Sequence, residues 1–321
     1  MTPTLVRQHS SHSGATPRVD PGARARDWSE IQERMLVPLY EAVYERLDVG
    51  GGTRMLGLGC GSGLALLMAA SRGAAVTGVD SRFPERLTLA RQRLLPGASG
   101  APVSSPDARG THPRVDSVRA DGARRDGTQR DGVRPDGVRG DGARVVEGTP
   151  RDVAAPSAPV FDLVTAFEPV GCLAGDSEGL GELLAEATPL AGRGAAVVLA
   201  GWGPPERCAT TSVLRVATKL ADPLRGAGSW RPALRDDLEE VAQRAGLRPD
   251  GSGRVACPFG YGDAGSAVRG LLSTGLFDAA IATTDQEQVD KELSEALHPH
   301  QRADGTVWMP NVFRYLIARL P

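Results

Sequence analysis

Aromatic residues are scarce, 4 % of 321 positions, and lysine occurs only at Lys219 and Lys291, so the basic side chains are almost all arginine. Neither charge dominates: 37 basic against 39 acidic residues leave a formal net charge of −2. That balance supplies no bulk attraction to nucleic acid or to an anionic membrane, and neither is expected as a partner. No apolar run approaches the roughly 20 residues that cross a bilayer. The first twenty residues are polar and lack the apolar core of a secretory signal, so a cytoplasmic location is expected. The four cysteines, Cys60, Cys172, Cys208 and Cys257, include no C-x-x-C pair. They read as free thiols rather than disulfides or a zinc site. His298 and His300 flank Pro299 without an evident third ligand and read as loop histidines, so no metal is expected.

The gap between Phe83 and Phe161 contains no aromatic residue at all. Within it Asp-Gly recurs at Asp121, Asp126, Asp131, Asp136 and Asp141, with arginine between the units. Each unit offers at most one small apolar residue, too little burial to offset the entropy of ordering the chain. Calcium would require denser carboxylates and a bidentate glutamate. Residues 97–143 are therefore expected to be a disordered insertion, and the Ser/Pro/Arg-rich residues 1–26 a disordered tail. The remainder, 27–321, reads as one domain interrupted by the insertion.

That domain alternates strand and helix signals. Apolar residues at Trp28, Ile31, Met35, Leu39, Val43 and Leu47 predict a helix over Asp27–Asp48, kinked or restarted at Pro38. Strands are predicted at Arg54–Leu58, Ala75–Asp80, Ala143–Glu147, Phe161–Phe167 and Ala195–Ala200, with a weaker one toward Val255–Pro258 and a closing one at Val312–Ala318. Helices are predicted at Leu64–Ser71, Pro84–Leu95, Gly179–Ala187, Leu234–Ala245, Ala267–Leu272 and Gln286–Leu297. Such alternation predicts an α/β fold, a mainly parallel sheet with helices on both faces.

The segment Arg54-Met-Leu-Gly-Leu-Gly-Cys-Gly-Ser-Gly63 runs from a strand through a glycine-rich turn into an apolar helix. That order sets backbone N–H groups and the positive end of a helix beside a ligand. Alternating glycines give the turn positive-φ freedom and allow close approach. Asp80 ends the next strand, where a carboxylate can take both hydroxyls of an adenosine ribose. Neither glycine frame completes the G-x-G-x-x-G of dinucleotide enzymes.

The G-x-G-x-G spacing resembles motif I of class I, Rossmann-like, S-adenosylmethionine-dependent methyltransferases of the small-molecule type. Phe161–Phe167 is similar to the family's fourth-strand motif, Leu183–Leu199 to its helix and fifth strand, and Val146–Pro150 to the segment lining the adenine. The helices bearing Trp28 and Tyr40 look like its cofactor cover. The resemblance implies a seven-stranded sheet with an antiparallel last strand and S-adenosylmethionine as cofactor. It implies contacts to that cofactor from Gly57, Gly59, Cys60, Gly61, Ser62, Gly63, Asp80, Ser81, Thr149 and Phe167. Gly57 and Thr149 stand where the family carries acids; the acid at the first position helps hold the methionine amino group.

Methyl transfer asks mainly for proximity and orientation, with a base needed only if the acceptor arrives protonated. Glu168 is the candidate for that base, or else a solvated turn carboxylate. Phe259, Tyr261, Phe277 and Trp308 are candidates to line an acceptor pocket. The chain reads Phe167-Glu-Pro-Val-Gly after the fourth strand, not the Asn/Asp-Pro-Pro-aromatic run of DNA amino methylation, which leaves a small-molecule acceptor. A non-catalytic module of the same fold and a nicotinamide-dependent oxidoreductase are the rival readings.

Overall fold

The computed structural model describes residues 20–95, 142–153, 160–170, 176–221 and 237–321. The Asp-Gly repeat, residues 1–19 and Cys172 lie outside the described residues. Nine strands occur among them: β1 (Arg54–Leu58), β2 (Ala75–Asp80), β3 (Ala143–Glu147), β4 (Phe161–Val170), β5 (Ala191–Trp202), β6 (Arg248–Ala256), β7 (Phe259–Tyr261), β8 (Val307–Met309) and β9 (Val312–Arg319). Seven form one sheet in the order β3-β2-β1-β4-β5-β9-β6, while β7 and β8 make a separate ribbon. Pairings from β3 through β5 are parallel, and β9 runs antiparallel to both β5 and β6. The expected antiparallel last strand is therefore present, inserted between its neighbours rather than added at an edge.

β1 and β2 are buried from their second residue on, as parallel strands covered on both faces must be. One face packs α5 (Asp176–Ala187) and α7 (Asp237–Arg244) through Leu180, Leu184, Leu238 and Val241. The other packs α2 (Val37–Arg46), α3 (Leu64–Ser71), α6 (Thr210–Ala221), α8 (Ala264–Ser273), α9 (Asp278–Thr283) and α10 (Gln286–Leu297). Leu66 of α3 packs directly onto Gly57 and Gly78, which are paired across β1 and β2 beneath it. A Cβ on Gly57 would sit 2.9 Å from Leu66 Cδ2, and one on Gly78 would sit 2.8 Å from Cys60 Sγ.

Several expectations need correction. The first element among the described residues is α1 (Pro21–Asp27), capped by Asp20, which lies before the expected boundary at Asp27. The single N-terminal helix is in fact α1, a π turn over Trp28–Gln32, a 3-10 turn over Glu33–Leu36 and then α2, with Pro38 in its first turn. Irregular turns of this kind concentrate where side chains are aimed at a site. Strand β6 replaces the shorter expectation at Val255–Pro258; its Arg-Pro-Asp-Gly-Ser-Gly start lacks β-formers because it is an edge strand with an exposed face. Helix α6 and the β7–β8 ribbon were not anticipated. Helix α4 (Pro84–Leu94), following β2, matches its prediction within one residue.

Candidate functional site

β1 ends at Leu58, and the chain turns through Gly59, Gly61 and Gly63, with φ of 59°, 55° and 80°. These values lie in the left-handed region that only glycine enters without strain. Gly63 also lets α4 approach, since a Cβ there would lie 3.0 Å from the Ala90 methyl. The loop was expected to offer its amides to a ligand. In the structure Cys60 N–H donates to Val79 O (3.1 Å), Gly61 N–H to Asp80 Oδ2 (3.0 Å) and Gly63 N–H to Cys60 O (2.9 Å). Leu64 N–H, at the start of α3, donates to Glu33 Oε1 (3.3 Å). A tight turn satisfies its own donors when no solvent reaches it.

Asp80 is 7 % exposed at the end of β2. Its second oxygen accepts Arg82 N–H at 2.9 Å, which fixes the carboxylate from two sides. An ionised carboxylate offers about four lone-pair positions, so about two remain for a ligand. Glu168, half-exposed at the far end of β4, is ion-paired with Arg82 at 2.6 Å. Its Oε2 lies 3.5 Å from where a Cβ on Gly59 would be.

Two hollows meet here. A crevice of about 40 Å³ follows the loop, bordered by Trp28, Glu33, Gly57, Gly61, Thr165 and Phe167. A cavity of about 470 Å³ extends over the ends of β4 and β5, in the size range of small-molecule sites. Both are lined by Trp28, Leu36, Leu58, Gly59, Asp80 and Glu168. The cavity reaches Ser81 and Gly148 on one side and Trp202, Phe259 and Phe313 on the other. Those three rings form an aromatic corner, with centroids 4.5 Å apart for Trp202–Phe313 and 5.9 Å for Trp202–Phe259.

Trp28 roofs the crevice, its Nε1 3.0 Å from the position of a Cβ on Gly61. Arg86 holds the indole in place: its guanidinium lies 4.1 Å from the Trp28 ring and 3.7 Å from the Phe83 ring, and it donates to the Ser273 carbonyl. Burial pulls the Arg86 pKa down to about 10, against the pull of Asp80 and Glu168, so it remains charged at neutrality. Burial, then the neighbouring Asp80, pushes the Cys60 thiol up, which makes Cys60 a packing group rather than a nucleophile. Burial first, and then Glu33, likewise raises the Tyr40 phenol.

Among the expected cofactor contacts, Gly57, Gly59, Cys60, Gly61, Asp80 and Phe167 border the crevice, and Ser81 borders the cavity. Ser62 is fully buried behind the loop, bonded to Glu33 and Arg93, and Gly63 packs on α4. Neither borders either hollow. Thr149 turns its N–H to Asp152 (2.8 Å), leaving the adjacent Gly148 as the residue that faces the cavity. Of the four candidate aromatics only Phe259 lines the cavity. Phe277 is fully buried in the core, Tyr261 donates to Gln32 Oε1 (2.9 Å), and Trp308 is 39 % exposed on the ribbon under Arg302. Glu33, Thr165, Arg86, Trp202 and Phe313 were missed. Their signal is spatial, because each reaches the site from a different element. His298 and His300 occupy a 3-10 turn after α10.

No protein-family model matches the sequence, and no curated protein does. Solved structures are similar in overall arrangement. One is an S-adenosylmethionine-dependent methyltransferase from Thiobacillus denitrificans in complex with S-adenosyl-L-homocysteine, 15 % identical over 94 % of this chain and 99 % of that one, TM-score 0.48. Another is the [4+2]-cyclase SpnF, 14 % identical over 88 % and 80 %, TM-score 0.45. A third is geranyl diphosphate C-methyltransferase from Streptomyces coelicolor A3(2), 12 % identical over 90 % and 80 %, TM-score 0.43. The strand order, with one reversed strand inside it, is that of the class I methyltransferase fold. No helix among the described residues is long and apolar enough to cross a membrane.

Proposed function

We propose that the protein binds S-adenosylmethionine where crevice and cavity meet and transfers its methyl group to a small molecule in the cavity. The observation that carries this is Asp80, a buried carboxylate with lone pairs to spare, at the strand end beside a triple-glycine loop. The donor set fits such a ligand. Asp80 would accept the ribose hydroxyls, and Ser81 and Gly148 would border the base. Thr165 Oγ1 and Trp28 Nε1 are buried without hydrogen-bond partners, and both of these residues line the crevice. Buried polar atoms are seldom left unpaired unless a ligand or water completes them.

The cofactor supplies an activated methyl group, so the chain's task is to hold two molecules in line and exclude water. The aromatic corner of Trp202, Phe259 and Phe313 suits an apolar acceptor body. Glu168 lines both hollows and could take a proton from an acceptor hydroxyl or amine, with Arg82 orienting it. One observation favours the non-catalytic module: the crevice at the loop holds only about 40 Å³. Calorimetry and thermal unfolding with S-adenosylhomocysteine, followed by labelled-methyl transfer across an acceptor panel, separate the readings. Ligand present at 100 times its Kd should stabilise the fold by about 2.7 kcal/mol. No thermal shift sinks the methyltransferase reading, and binding without turnover favours the module.

A further inference from the structure

We propose that Glu33, assisted by the indole N–H of Trp28, recognises the amino-acid end of the donor, supplying from the N-terminal turns the carboxylate that β1 does not carry. This rests on the donor assignment above. The strand end does not supply the group, because position 57 is a glycine with little room for a side chain. A Cβ at position 57 would already lie 2.9 Å from Leu66 Cδ2 and 3.7 Å from its Cγ, and Leu66 is 1 % exposed in the core. Three carboxylates from other elements, Glu33, Asp80 and Glu168, border the loop, and of these Asp80 is assigned to the ribose and Glu168 is half-exposed and paired with Arg82.

Glu33 is the one that remains. It is 2 % exposed, borders the crevice, and holds Oε1 3.5 Å from where a Cβ on Gly61 would be. Oε2 accepts from Arg93 at 2.7 Å and from the Ser62 hydroxyl, while Oε1 accepts only the long bond from Leu64 N–H among the bonds described. With two lone pairs on each oxygen, Oε1 keeps one acceptor position toward the crevice. Arg93, itself bonded to Ser29 and to the Ser62 carbonyl, keeps the carboxylate in place.

The same crevice contains the two unpartnered groups, Trp28 Nε1–H and the Thr165 hydroxyl, which is 1 % exposed. An indole N–H is a donor only, so it requires an acceptor; Glu33, its charge already met by Arg93, has an acceptor position left on Oε1 that calls for a further donor. A ligand presenting an ammonium and a carboxylate together, a free α-amino acid end, satisfies both. About 40 Å³ admits a few water-sized groups. Seating the whole zwitterion therefore moves the indole off Gly61, and the π and 3-10 turns that carry Trp28 and Glu33 are where the backbone is least regular.

The test uses the full chain and two probes, S-adenosylhomocysteine and 5′-methylthioadenosine, the latter keeping the nucleoside and lacking the amino-acid end. Affinities come from calorimetry, with the melting temperature recorded for every variant. Glu33→Gln should weaken adenosylhomocysteine about tenfold or more, as for loss of a charged hydrogen bond, and leave methylthioadenosine within about twofold. Trp28→Phe keeps an aromatic ring and removes the donor, so it should weaken the first probe more than the second and serves if Glu33→Gln fails to fold. Equal losses for both probes, or none, overturn the proposal by returning Glu33 to a purely structural cap of α3. Binding of neither probe by the unaltered protein overturns the donor assignment and this proposal together. Equal affinity of the unaltered protein for the two probes overturns this one alone.

Discussion

At the glycine loop the chain closes on about 40 Å³, walled by Glu33, Trp28 and Asp80, whereas across Gly59 and Glu168 it leaves about 470 Å³ beside Trp202, Leu214, Phe259 and Phe313. On the narrow side the carboxylates are bonded to Arg82, Arg93 and the loop amides, while Trp28 Nε1 and Thr165 Oγ1 are buried without a partner. On the wide side aromatic and aliphatic surface dominates. A rigid polar wall suits one invariant ligand, because each donor and acceptor must be met or its desolvation is lost. An apolar hollow is tolerant, since burial is non-directional and scales with area. The contrast predicts strict recognition of one partner and latitude toward the other.

Changes confined to one side test that contrast. Phe313 is fully buried against Trp202 and Phe259, and Phe313→Ala should destabilise the fold by about 3–5 kcal/mol in urea titration. Affinity for a nucleoside should fall far less than stability; an equal fall would mean the two sides are one. Gly78→Ala drives a methyl toward Leu66 and Cys60 and should lower stability by about 1–3 kcal/mol. A variant as stable as the parent would show that α3 can retreat from the sheet.

Asp80→Ala should weaken adenosylhomocysteine by about 1–3 kcal/mol while leaving binding of an apolar dye in the cavity unchanged. Unaltered cofactor affinity would remove Asp80 from the site. Raising pH probes the narrow side too. Burial raises the phenols of Tyr40 and Tyr44 and the Cys60 thiol above their ordinary values of 10.0 and 9.0. The unfolded chain then releases protons that the folded one retains, so stability should hold through neutrality and fall as pH climbs past 9. Arg86, lowered to about 10, opposes this only above that value. Smallest of all, Arg82→Ala removes a half-exposed pair with Glu168 and should shift stability by about 1 kcal/mol or less.

The narrow side was largely legible in the sequence. Arg54–Leu58, Leu64–Ser71 and Ala75–Asp80 are found with the ends predicted, because apolar runs punctuated by glycine specify strand, turn and helix locally. What the pattern could not show is how the loop amides are used. That depends on Asp80 and Glu33, the latter reaching Ser62 from 29 residues away and meeting Arg93 from 60. The wide side was mostly illegible. Its corner gathers Trp202, Phe259 and Phe313 from three strands, and an aromatic residue bears no local mark of whether it will line a hollow or, like Phe277, fill a core.

β9 occupies an interior place in the sheet, yet it follows every other described strand in the chain. β6 pairs with β9 and with no other described strand, so it has no ladder to join until residues 312–319 have left the ribosome. Until then the outer edge of β5, apolar from Ala195 to Ala200, is bare. Such an edge is a template for misassociation between nascent chains. Deleting residues 312–319 should therefore yield insoluble protein rather than a slightly weakened one.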